Sequence, residues 1–175
     1  MNDLWVFGYA SLMWKPGFKF IEKRRARLAG YHRALCITSW EHRGTRERPG
    51  LVMGLDNGGA CVGLAFKVAP EDREDVIAYL RERELVTNVY LERMGKVTLD
   101  DGERVDALIY VADHRHEQYA GRLTVADATE RVCGAVGGMG PNEEYVLNTA
   151  DHIKDMGIKD HWLQAVAESI RQRSS

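Results

Sequence analysis

No apolar run in the 175 residues approaches the roughly 20 that a helix needs to cross a bilayer, so no membrane insertion is expected. The opening Met1-Asn2-Asp3 shows no basic segment leading into an apolar one, so a secretory leader is not expected either. Cysteine is scarce. Cys36, Cys61 and Cys133 form no CxxC pair and are odd in number, which points away from a disulfide framework and towards a reduced, cytoplasmic setting. Each lies in an apolar pattern of the kind that buries an inert thiol. Excess charge of one sign is missing as well: 24 Lys and Arg against 26 Asp and Glu give a net charge of -2, which excludes a broad nucleic-acid footprint. The basic cluster Lys23–Arg27 lacks interleaved aromatics and reads as a solvated edge before a strand. There is no HExxH and no cysteine cluster. His114 and His116 lie two apart and His32, His42, His152 and His161 are scattered, so no metal is expected. Ser11 lacks a GxSxG setting and an adjacent base. Repeats, low-complexity segments and linkers are also wanting, and 45% hydrophobic with 29% charged residues suits a single globular domain over 1–175.

What the chain does have begins at Leu4–Trp14, LWVFGYASLMW. Leu4–Phe7 reads as a buried strand, and Gly8-Tyr9-Ala10-Ser11 breaks it with small residues. Such an exit leaves backbone N–H groups open to a carboxylate or an oxyanion, although an ordinary strand end has the same composition. Arg27–Trp40 reads as a second strand and the charged Glu41–Gly50 as a loop. Leu51–Leu55 and Ala60–Val68 are expected to form a hairpin across Asp56-Asn57-Gly58-Gly59.

Pro70-Glu71-Asp72 opens a helix with proline and two acids in its first turn. Val76, Ile77 and Leu80 form its apolar stripe. Past Arg83-Glu84-Leu85-Val86, Thr87-Asn88 and the β-branched Val89 predict a return to extended structure. Lys96–Leu99 and Arg104–Val111 pair across the Asp100-Asp101-Gly102 turn. Thr124 caps a helix that ends near Gly134. Asn142 is expected to cap a second, closed by Gly157, and Asp160 begins a last amphipathic helix. The order predicts an α+β fold: a small barrel-like sheet flanked by helices, with the helices concentrated in the C-terminal half.

Among the acids of Glu71–Glu84, Glu84 differs in its surroundings. It lies where the helix ends, beside Leu85 and Val86, and can point inward as readily as out. A carboxylate in an apolar cavity has its pKa raised towards neutrality, which suits a general base.

FGYASLMWKPGF, GYHRALC, SWEHRGTRERPG, CVGLAFKV, YLRERE and NEEYVLNTADHIKDMGIKD follow one another from about Val6 to Leu163. In that order and spacing they resemble the glutathione-specific gamma-glutamylcyclotransferases of the ChaC family. The resemblance implies a small mixed barrel flanked by helices, no metal or organic cofactor, and release of 5-oxoproline and Cys-Gly from glutathione. The substrate is a small molecule. Its own α-amine attacks its γ-carbonyl, and a glutamate serves as acid and base.

The resemblance also implies roles residue by residue. The family's YGSL loop falls on Tyr9-Ala10-Ser11-Leu12, with Gly8 before it, and is implied to bind the gamma-glutamyl moiety. The catalytic glutamate falls on Glu84 in the Arg83-Glu84 pair. Tyr90 takes the place of a following tyrosine, and Arg43 in SWEHRGTRERPG is a further implied substrate contact. Ala10 and Val89 stand where the family has glycine. Residue 10 is expected to have an ordinary negative φ, its methyl group narrowing the approach to the loop. The competing readings are a cyclotransferase for another gamma-glutamyl amine or amino acid, and a non-catalytic regulatory or ligand-binding protein linked to cation transport.

Overall fold

In the computed structural model, which describes residues 3–85 and 89–174, the first strand, β1 (Leu4–Gly8), is buried along its whole length. Successive side chains point to opposite faces. Trp5 and Phe7 join one apolar cluster with Leu28, Leu55, Val97 and Ile109, while Leu4 and Val6 join another with Val76, Leu80 and Leu108. A strand covered on both sides has no polar face to show, which is why its sequence is an unbroken apolar run.

Four more strands complete a closed barrel: β2 (Glu22–Ser39), β3 (Gly50–Val68), β4 (Tyr90–Leu99) and β5 (Arg104–Ala112), in the order β1-β3-β2-β4-β5. β1 runs antiparallel to β3, with Leu4 opposite Val68, and parallel to β5, with Trp5 opposite Ala107. The sheet is therefore mixed, as expected. After one 3-10 turn at Pro70–Asp72, helix α1 (Arg73–Glu84) buries Val76 and Leu80. The later helices are α2 (Val125–Val132), α3 (Asn142–Asp155) and α4 (His161–Ser174), with the two-residue strands β6 (Val136–Gly137) and β7 (Gly140–Pro141) between α2 and α3. Three of the four helices thus fall in the C-terminal half. None among the described residues is long and apolar enough to cross a membrane.

The chain divides into two compact units. Met1–Arg33 and Leu55–Asp113 make the first, Ala34–Gly54 and His114–Ser175 the second. In the second unit α2 and α3 both pack on α4, and Val132, Val146, Ile153, Leu163, Val166 and Ile170 are fully buried. Two of its helices, α2 and α4, start where side-chain oxygens meet unpaired N–H groups. Thr124 Oγ1 accepts from the Asp127 N–H at 3.0 Å, and Asp160 Oδ1 accepts from the Leu163 N–H at 3.1 Å. Gly157, at φ +73°, closes α3.

Three expectations need correction. Residues 51–68 are not a hairpin but lie within the single strand β3. Gly58 and Gly59 take φ of +102° and +69° inside it, so the turn-forming residues make an irregularity in one strand rather than a reversal. β2 begins at Glu22, not Arg27, and the basic cluster is its first stretch. Alternation explains this: Ala26 and Leu28 point inward while Lys23, Arg25 and Arg27 are exposed. Asn142 is not a cap. Its side chain accepts from the Leu51 N–H and donates to the Leu51 carbonyl, both at 2.8 Å, and it is fully buried. A buried backbone pair outbids a helix end for the amide, because the helix end has water as an alternative. Val86, Thr87 and Asn88 lie outside the described residues; Val89 is buried and β4 begins at Tyr90.

Candidate active site

In the first unit the exit of β1 and the end of α1 come together. After Gly8 the chain passes through Tyr9 and Ala10 into a 3-10 turn, Ser11–Met13, whose Leu12 and Met13 are buried. The Met13 N–H bonds the Ala10 carbonyl at 2.9 Å, so the N–H groups of Ser11 and Leu12 have no partner inside the turn. Ala10 has φ -144°, the ordinary negative value expected of a residue with a side chain.

Two arginines that spacing alone does not single out fix this loop. Arg33 is buried and donates from Nε to the Tyr9 carbonyl and from Nη2 to the Val62 carbonyl, both at 2.6 Å. It thereby joins β2, β3 and the loop. Close passage of β1 along β3 at this point depends on Gly63, where a methyl group would overlap the Gly8 carbonyl oxygen. Arg83, in the last turn of α1, donates to Ser11 Oγ at 2.9 Å, to the Lys15 carbonyl at 2.9 Å and to the Tyr79 hydroxyl at 3.1 Å.

Glu84 is the last residue of α1, and its side chain is 17% exposed. Burial pushes its pKa up from the usual carboxylate range, and the Arg83 guanidinium, with Nε 3.7 Å from Oε1, opposes the rise in part. Leu12, Leu85 and Tyr90 all pack on the apolar cluster between α1 and the barrel, as does Tyr110. Tyr110 stands opposite Glu92 across β4 and β5 and donates to Glu92 Oε2 at 2.9 Å. Arg81 grips both oxygens of Glu92 at 3.0 Å. That pairing holds the Glu92 carboxyl below its usual range, while burial and the Glu92 carboxylate push the Tyr110 phenol up. Tyr90 and Glu92, two apart on β4, share a face with Tyr110.

The structure thus brings Gly8, Tyr9, Ala10, Ser11, Leu12, Glu84 and Tyr90 into one unit. Arg43 belongs to the other, where its guanidinium lies 5.3 Å from the Tyr145 ring centroid and donates to the Pro141 carbonyl at 3.2 Å. Among the described residues no group of three or more His, Cys, Asp or Glu is placed to hold a metal.

A small closed barrel with an inward carboxylate at the end of its flanking helix defines the fold class. The same fold occurs in a crystallised gamma-glutamyl cyclotransferase specific to glutathione from yeast, with a TM-score of 0.86 at 22% identity over 98% of this chain and 97% of that one. Residues 4–173 match the family described as ChaC-like protein, and the chain belongs to that family. It is 32% identical to the glutathione-specific gamma-glutamylcyclotransferase of Escherichia coli K12, over 98% of this chain and 74% of that protein. It is 31% identical to glutathione-specific gamma-glutamylcyclotransferase 1 of Homo sapiens, over 95% of this chain and 78% of that one.

Proposed function

We propose that this protein is a gamma-glutamylcyclotransferase that acts on glutathione and releases 5-oxo-L-proline and Cys-Gly, and that its whole length serves as one such domain in the cytoplasm. The observation that carries the reading is Glu84, a half-buried carboxylate of raised pKa tied through Arg83 to the loop after β1. Membership of the ChaC-like family and the names of its relatives support it.

The chemistry needs little beyond positioning, because nucleophile and electrophile belong to one molecule. Glu84 takes a proton from the substrate's α-ammonium. The freed amine attacks the γ-carbonyl carbon, closing a five-membered ring, and the carbonyl oxygen gains negative charge. N–H groups at Ser11 and Leu12, unused within their own turn, are suited to that charge or to the α-carboxylate. As the intermediate collapses, the bond from the γ-carbon to the cysteinyl nitrogen breaks and Glu84 returns its proton to that nitrogen. The ring nitrogen gives up its second proton, which leaves a neutral lactam N–H and completes the ammonium of the departing Cys-Gly. Tyr90 borders the same apolar cluster and provides a wall for the glutamyl chain.

Incubation with glutathione should yield equal amounts of 5-oxoproline and Cys-Gly. Glutathione acylated on its α-amine should yield neither, since its nucleophile is blocked. Cys-Gly released from the acylated compound would mean ordinary hydrolysis by a protein nucleophile and would overturn the cyclisation.

Ala10 gives a finer check. Its φ is negative, so Ala10→Gly should leave the melting temperature unchanged or slightly lower, the loss of stability being at most about 1 kcal/mol through unfolded-state entropy. Its kinetic effect should fall mainly on KM, because the lost methyl group widens the approach to the loop amides. A clear gain in melting temperature would contradict this account.

A further inference from the structure

We propose that Arg83 is a positioning residue: its guanidinium docks the loop of residues 11–17 on the last turn of α1 and so fixes Ser11 and Glu84 relative to each other. The inference rests on the reading of Glu84 as the base. Four oxygens from two parts of the chain converge on one side chain. Nη2 donates to Ser11 Oγ at 2.9 Å, and Nη1 faces the Lys15 carbonyl at 2.9 Å, the Tyr79 hydroxyl at 3.1 Å and the Pro16 carbonyl at 3.4 Å. Tyr79, one helical turn before Arg83, lies so close to Gly17 that a methyl group there would overlap its hydroxyl, and Gly17 has φ +73°. The loop is thus held at both ends of its contact with α1, by Ser11 at one and Gly17 at the other.

Only an arginine suits these acceptors. Its planar fork presents five N–H groups in fixed directions, whereas a lysine offers a compact ammonium on a flexible stem. The remaining donor, Nε, stops 3.7 Å from Glu84 Oε1, too far for a hydrogen bond but near enough for its charge to act. Among the described residues Glu84 therefore has a cationic neighbour that does not occupy its lone pairs, which leaves them open to a substrate ammonium. Ser11 is placed in the complementary way: its oxygen accepts from Arg83, so its hydroxyl hydrogen is available to another acceptor, such as a substrate carboxylate.

Of the charged and titratable groups on α1, β4 and β5, those that interact with Glu84 are Arg83 on α1 and Tyr110 on β5. Arg81 and Glu92 offset each other in their paired bonds, and Arg83 is the charge that acts on the Glu84 carboxylate.

The test uses the full chain with Arg83→Met, Arg83→Lys, Ser11→Ala and Glu84→Gln, assayed on glutathione across pH. Arg83→Met should raise KM about tenfold, the equivalent of one lost charge-assisted hydrogen bond. It should also move the acid limb of kcat/KM to higher pH, because nothing then opposes the effect of burial on Glu84. Arg83→Lys should raise KM but leave the limb in place, since the charge remains. Ser11→Ala should do likewise, and adding it to Arg83→Met should cost less than the product of the two separate effects. Arg83→Met with wild-type KM and an unmoved limb would overturn the proposal, as would fully multiplicative effects. If melting curves show Arg83→Met unfolded, Arg83→Lys decides: a wild-type KM there overturns it. Activity in Glu84→Gln would remove the base assignment and this inference with it. Inactivity there, with wild-type behaviour in both Arg83 variants, would remove this inference alone.

Discussion

Glu84→Gln is expected to reduce kcat by about 10²–10⁴-fold, the usual worth of a positioned acid–base group. Glutamine keeps the shape of the side chain but can neither take the α-ammonium proton nor return it to the leaving nitrogen. Glutathione binding, followed calorimetrically, should change little. The stability outcome has a definite sign. Because burial raises the folded-state pKa of Glu84 above its ordinary value of 4.5, the folded protein holds a proton that the unfolded chain releases between those two values. Ionised Glu84 therefore costs stability above that window and nothing below it. Glu84→Gln should melt at or above the wild-type temperature near neutral pH, and the gain should vanish as pH falls below the ordinary carboxylate range. Turnover within a few-fold of wild type would refute Glu84 as the base. A lower melting temperature at neutral pH would show that the carboxylate is held by interactions stronger than its burial penalty.

The second large effect concerns stability alone. Asn142→Leu keeps the volume but leaves both the N–H and the carbonyl of Leu51 without the partners they have at 2.8 Å. Each buried group left unpaired costs about 1–3 kcal/mol, so for the two a loss of roughly 2–6 kcal/mol is expected. For a chain of this length that lowers the melting temperature by roughly 5–20 °C. Asn142→Asp should also destabilise, since a carboxylate can accept from the Leu51 N–H but cannot donate to its carbonyl. A loss below about 1 kcal/mol for Asn142→Leu would mean that water replaces the amide and that the site is less closed than its burial indicates.

The contrast between these two residues shows what a sequence makes legible. The raised pKa of Glu84 has a local cause, a carboxylate that ends a helix against apolar neighbours. The same pattern leaves an outward side chain equally open, and it is the family resemblance that singles the residue out. The helix start at Pro70 is readable from the fixed φ of proline in a first turn. Those at Thr124 and Asp160 are readable because each is a short-range exchange between a side chain and nearby N–H groups. Asn142 looks like another such start, yet its amide serves Leu51, 91 positions away. Asp56–Gly59 mislead similarly. Two glycines at positive φ permit a reversal, but they equally permit an irregularity in a long strand, and only the neighbouring strands decide between them. The donor roles of Arg33 and Arg83 are silent in the sequence. Nothing in spacing ties residue 33 to the carbonyls of Tyr9 and Val62, or residue 83 to Ser11.

Each compact unit is assembled from two separated stretches of chain, and the stretches alternate. On the ribosome this imposes a schedule. The first unit has all its residues once position 113 has emerged, whereas residues 34–54 are made early but wait for a partner that begins at position 114. During that interval the Leu51 amide and carbonyl, later claimed by Asn142, can bond only to water or to an improper neighbour. Translation that stalls between the two positions would leave half a unit exposed for the length of the pause, and loops closed over such separations are slow to form. Nor can either unit be excised as a continuous fragment, because a cut that frees one divides the other. Limited proteolysis of nascent chains arrested near position 113 should accordingly cleave first within 40–49, the stretch between β2 and β3, well before the strands on either side of it.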